Sequence, residues 1–196
     1  VFAFPLFLPD LHWSWLFLLS VEAVFYLSLL LLTIYYIHSH GYSLKTLGLA
    51  LIGPRYILFG ILFGLIIVAL SIATSLLIEP IIGPSPSQEA FTRLVRDPEG
   101  FIFALTSASF LAPITEEVYF RAFAYNAFKK KWGIIGGMVG SAFFFAFSHL
   151  DPWAFIPISL IGIVLAYAYE RTGSLPVVII AHLFNNTLAL ILSWIV

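Results

Sequence analysis

The sequence predicts an all-α fold, a polytopic transmembrane helix bundle of about six spans plus one short surface amphipathic helix. Three observations carry this. Of 196 residues, 61% are hydrophobic and only 10% are charged, too few to cover a water-soluble globule, which carries about 25%. The apolar residues fall into continuous runs of spanning length, which takes ~20 residues in a helix. The runs lack the alternation of a barrel strand.

The predicted spans, all within one integral membrane domain over 1–196, are 13–37, 56–78, 101–128, 132–150, 153–169 and 175–196. The opening VFAFPLFLPD lacks the basic stretch of a signal peptide and fits the tail of an earlier segment. The third span exceeds the hydrocarbon thickness and carries Pro113, so a kink or an extension beyond the bilayer is expected. Gly53-Pro54, Asp151-Pro152 and Thr172-Gly173-Ser174 punctuate the turns. In the longer joint 83–100, Ser85-Pro86-Ser87-Gln88 reads as a capping box with Pro at the first helical position. Ala90, Phe91, Leu94 and Val95 then share a face until Asp97-Pro98 ends the helix. This predicts a helix lying on the membrane surface.

Cytoplasmic joints carry excess Lys and Arg. Lys45, Arg55, Lys129, Lys130, Lys131 and Arg171 occupy the joints after spans one, three and five. Arg93 and Arg96 in the joint after span two are offset by Glu89, Asp97 and Glu99. Joints one, three and five are therefore expected in the cytoplasm, with Val1 and Val196 on the far side. Trp13, Trp15, Trp132, Trp153 and Trp194 fall near span ends, as aromatic belts do. Nine scattered Lys and Arg form no basic patch, which excludes nucleic acid as the main partner. The absence of Cys excludes a disulfide framework, Cys-ligated zinc and a thiol nucleophile.

Ionisable residues inside a span cost at least ~2.5–3.5 kcal/mol each and are functional candidates by default. Three sets stand out. Glu116, Glu117 and Arg121 lie midway along span three. Glu117 and Arg121 are spaced i,i+4 and can pair on one face, whereas Glu116 points about 100° away. His149 ends span four. His182 and Asn186 share a face of span six. Lys130 to Glu117 is ~20 Å of helix and Trp132 to His149 is ~26 Å, so a hairpin brings both to similar depth. Gly133, Gly136, Gly137, Gly140 and Ser141 allow the close approach this needs. His182 lies only ~10 Å past Leu175, and reaches that depth only if the turn at Arg171–Ser174 sits inside the bilayer plane.

Read in order, Glu116-Glu117…Arg121, Phe145…His149 and His182…Asn186 resemble the CAAX prenyl-protease and bacteriocin-processing (CPBP, or Abi) family. The turn Arg171-Thr172-Gly173-Ser174-Leu175 resembles the joint before the family's last motif. The likeness runs from about Phe91 to Asn186. The resemblance implies an intramembrane endopeptidase, with membrane lipid and a membrane-associated protein or peptide, prenylated or not, as partners. Glu116 would activate water with help from His149. His182 and Asn186 would donate to the oxyanion, and Arg121 would hold Glu117. Glu116, His149 and His182 also make a two-His, one-carboxylate set of the kind that binds zinc, the one cofactor the residues suggest.

Two other classes fit part of the pattern. A proton- or cation-coupled transporter would also bury carboxylates, yet no inverted repeat is evident. A proteolytically silent scaffold or immunity protein of the same family would keep the motifs unused. Among weaker signals, His38 and His40 read as interfacial tips, and Phe143, Phe144, Phe145 and Phe147 as lipid-facing or core packing. Glu22, nine residues into span one, has no partner legible in the sequence.

Overall fold

The computed structural model describes residues 15–49, 52–83 and 85–195, without the side chains of Trp15 and Thr46. Trp13, the start of span one, Val1, Val196 and the opening ten residues lie outside the described residues. Every regular element among them is helical. We number the helices α1 Trp15–Ser39, α2 Pro54–Ile82, α3 Pro86–Val95, α4 Pro98–Ser148, α5 Phe155–Thr172 and α6 Leu175–Ile195. All but α3 are long and apolar enough to cross a membrane. The chain is an integral, multi-pass membrane bundle.

The third and fourth predicted spans form the single element α4, which folds back on itself. At Gly133, φ is 73° and ψ is −176°, a conformation essentially reserved for glycine. Past it the returning limb packs on the outgoing one. The ring centroids of Phe120 and Phe145 are 5.0 Å apart, although 25 residues of straight helix would separate them by ~37 Å. A Cβ on Gly137 would lie 2.9 Å from Lys129, and one on Gly140 3.3 Å from Phe128. Five helices are long and apolar enough to cross a membrane, and one of them, α4, is a hairpin of two limbs.

Pro113 does not break the outgoing limb. The helix widens into π-type turns over Leu105–Leu111 and again over Val118–Tyr125. Those wider turns absorb the bond that the proline ring cannot make. Glu116 and Glu117 sit in the short regular segment between them.

Four further contacts set the depth of the helices. Gly60 and Gly64 of α2 let α6 approach so closely that a Cβ would stand 2.7 Å from Ile180 and 2.9 Å from Phe184. Gly162 of α5 does the same against Ala142. The α5–α6 turn is clasped by the first joint. A Cβ on Gly48, whose φ is 93°, would fall 1.8 Å from Gly173 O, and Tyr169 Oη donates to Leu47 O at 2.8 Å. Tyr125 Oη and Lys129 Nζ both hold Glu170 Oε2, at 2.5 and 2.6 Å. The turn is therefore level with Tyr125–Lys129. Tyr125 is eight residues past Glu117, ~12 Å of helix, so α6 starts deep enough for His182 to reach Glu117.

Helix α3 begins as the sequence predicts, with Ser85 Oγ accepting from Gln88 N at 3.4 Å. Its apolar face is not free for lipid. Val95 is fully buried and packs with Ala104 and Leu190, joined by Phe91 and Leu94. Asp97 stops α3 and starts α4, accepting from Gly100 N at 2.9 Å.

Candidate active site

The site is built by α4 and α6. Glu116 and Glu117 occupy adjacent positions of α4 and so point to different neighbours. Glu117 is fully buried. Its Oε2 lies 2.9 Å from Arg121 Nε, the i,i+4 ion pair expected from the spacing. Its Oε1 accepts from His182 Nδ1 at 2.9 Å. Glu116 instead lines a cavity of about 600 Å³ together with His149, His182, Asn185 and Asn186. Its Oε2 stands 4.0 Å from His182 Nε2, beyond direct hydrogen-bond reach. His182 thus lies between the two carboxylates.

His149 Nδ1 donates to Phe145 O at 2.8 Å. That bond leaves Nε2 of the neutral ring as an acceptor. Asn186 Nδ2 donates to Ala108 O at 2.9 Å, and its Oδ1 accepts from Asn185 Nδ2 at 3.1 Å. One N–H of Asn186 is left over. Arg121 has no exposed surface, and its guanidinium nitrogens have no hydrogen-bond partner among the described residues. The pair with Glu117 is therefore close but not linear. Arg121 Cζ also lies 5.2 Å from the Phe145 ring centroid, within cation–π range.

Of the phenylalanines read as lipid-facing or core packing, Phe145 is core and packs against both histidines. It is 1% exposed, with ring centroids 4.7 Å from His149 and 5.8 Å from His182. Phe143, Phe144 and Phe147 point outward. His40 stacks on Tyr36 at an exposed helix end.

All six predicted residues therefore converge on one region, with Glu116, His149, His182 and Asn186 on the cavity. The zinc set does not carry over. Among the described residues no three His, Asp or Glu side chains are grouped to hold a metal ion. One imidazole nitrogen of each histidine is engaged, His182 Nδ1 by Glu117 and His149 Nδ1 by Phe145 O, which turns Nε2 of each ring to face other groups.

Sequence reading left two groups unplaced. Glu22 of α1, 8% exposed, accepts a hydrogen bond from Ser107 Oγ of α4. At the mouth, Ser87 Oγ of α3 donates to Asp151 Oδ2, while Asp151 Oδ1 accepts from Trp153 N and Ala154 N at 2.9 and 3.2 Å. Neither tie spans a helical repeat, so no spacing could reveal it.

Residues 98–188 match the family described as type II CAAX prenyl endopeptidase Rce1-like. The matched stretch contains every residue of the site from Glu116 to Asn186, in agreement with the resemblance drawn from the motifs. The chain is also similar to a Bacillus subtilis (strain 168) protein named "Putative membrane peptidase YdiL", 31% identical over 86 residues. Those residues make up 44% of this chain and 35% of that protein, so the likeness spans about a third of the relative's length. No solved structure matches the chain.

Proposed function

We propose that this chain is an intramembrane endopeptidase that hydrolyses membrane-associated peptides through a glutamate-activated water. The observation that carries the reading is the division of labour between adjacent carboxylates. Glu117 is engaged by Arg121 as an ion pair and by His182 as a hydrogen bond, whereas Glu116 keeps a face on the cavity. A general base must reach its water, and only Glu116 of the two can.

In this scheme Glu116 takes a proton from water held also by His149 Nε2. The water oxygen adds to the scissile carbonyl carbon, and the carbonyl π pair moves to oxygen. The spare N–H of Asn186 meets that oxyanion. His182 adds a second donor from Nε2 when its ring is protonated, with a carboxylate facing each nitrogen. Collapse restores the carbonyl and breaks the C–N bond, and Glu116 returns the proton to the leaving amine. Arg121 and Phe145 hold Glu117 and both histidines in place and do not touch substrate.

The test is cleavage of prenylated and unprenylated membrane peptides by the purified protein in detergent or vesicles, beside Glu116→Gln. Cleavage by the wild type that the variant lacks supports the reading. A wild type that cleaves neither peptide, or a variant that cleaves both at the wild-type rate, overturns it.

A further inference from the structure

Glu22 and Tyr26 lie one turn apart on α1, within a buried stripe that includes Leu18, Thr33 and Ile37. Both fall outside the matched stretch 98–188. The Glu22 carboxylate is occupied by Ser107 Oγ, which ties α1 to the outgoing limb of α4. Tyr26 has no such tie. It is 1% exposed, and its hydroxyl has no hydrogen-bond partner among the described residues. Yet Tyr26 lines the same cavity as Glu116, His149, His182 and Asn186. A buried hydroxyl without a partner is costly, and a phenylalanine would fill the same volume without that cost.

Asn186 has one N–H on Ala108 O, and His182 Nδ1 is engaged by Glu117. In its resting state the site offers a developing oxyanion the spare amide N–H of Asn186 and that of its neighbour Asn185. Oxyanion holes commonly set two or more donors on that oxygen, and tyrosine hydroxyls are among those used.

We infer that Tyr26 is a catalytic residue whose O–H donates to the oxyanion formed when water adds to the scissile carbonyl. The inference rests on the endopeptidase reading above. The phenol keeps its proton throughout. The water proton goes to Glu116 and then to the leaving amine, so the balance of the hydrolysis is unchanged. Helix α1 therefore completes a site whose other groups all come from α4 and α6.

Tyr26→Phe in the full chain tests this, with kcat and KM on a cleaved membrane peptide, thermal unfolding, and binding of a phosphinic peptide. The phosphinate is tetrahedral and stands in for the water adduct. The expected result is a fall of about 10²–10³-fold in kcat with little change in KM. Phosphinic peptide affinity should fall by a similar factor while the melting temperature holds or rises, because an unpaired buried hydroxyl is gone. A Tyr26→Phe protein with near wild-type kcat overturns the inference. So does one that loses activity together with melting temperature, which would mark a packing role. Cleavage by the wild type, with Glu116→Gln dead and Tyr26→Phe active, overturns Tyr26 alone. A wild type without cleavage overturns the endopeptidase reading and this inference together.

Discussion

Glu117 and His182, 65 residues apart in the chain, meet at 2.9 Å in the bundle interior. The contact joins the hairpin of α4 to the helix that follows the Gly173 turn. It also holds Glu117 in the bundle interior while its neighbour Glu116 lines the cavity.

The two glutamates should therefore fail differently. Glu116→Gln keeps size and hydrogen bonding but cannot take the water proton. Turnover should drop by about 10²-fold or more with the melting temperature unchanged. Glu117→Gln leaves Arg121, fully buried, without its counter-charge. That should cost roughly 3–5 kcal/mol of stability along with activity. Parallel thermal unfolding and peptide cleavage check this. A Glu117→Gln protein that is inactive but fully stable reverses the assignment.

Gly133→Ala should strain the hairpin without a clash. A Cβ there meets nothing within 4 Å, but φ is 73° and ψ is −176°. The expected loss is roughly 1–3 kcal/mol, from backbone conformation alone. Denaturant unfolding in detergent micelles measures it.

Gly48→Ala should do more damage, because its Cβ would meet the Gly173 carbonyl at 1.8 Å. The clasp under the α5–α6 turn must open, and the start of α6 moves with it. Both stability and cleavage should fall. Gly41→Ala is the matched control, with φ of 80° and open space around its Cβ. It should show the backbone cost only and keep its activity.

The Lys129–Lys131 joint should face the cytoplasm, since these lysines dominate the positive-inside balance. The chain has no cysteine, so Lys130→Cys is a single reporter. An impermeant maleimide added outside intact cells should leave it unlabelled until the membrane is permeabilised. Ready labelling from outside would invert the topology.

What could be read from the sequence was local or periodic. The Glu117–Arg121 pair follows from one helical turn. The cap at Ser85 and the turn at Gly173 follow from residue type. The similar depth of Glu117 and His149 follows from counting rise along two limbs. Contacts between distant segments left no such trace. Nothing about Gly48 announces that it supports Gly173, yet that support sets the depth of His182. Gly60 and Gly64 carry a small-residue spacing that passes unnoticed among the apolar run of α2. Tyr26 and Glu22 sit in a helix with almost no polar pattern, so their inward orientation appears only once α4 is packed beside it. The short amphipathic helix was legible from its cap and its apolar face, but its packing partners were not, because Val95 looks equally suited to lipid and to Leu190.

The i,i+4 placement of Arg121 has a consequence for biogenesis. Arg121 follows Glu117 by four residues, while His182 follows by 65. When α4 leaves the ribosome, Glu117 already has its counter-charge within the same helix, so that pair can enter the bilayer as a neutral unit. Glu116 has no counterpart on α4, and it enters without the histidine that will face it. The insertion cost of the limb thus rests mainly on one carboxyl group. The Glu117–His182 contact, and with it the proposed site, is assembled only after α6 has been threaded alongside.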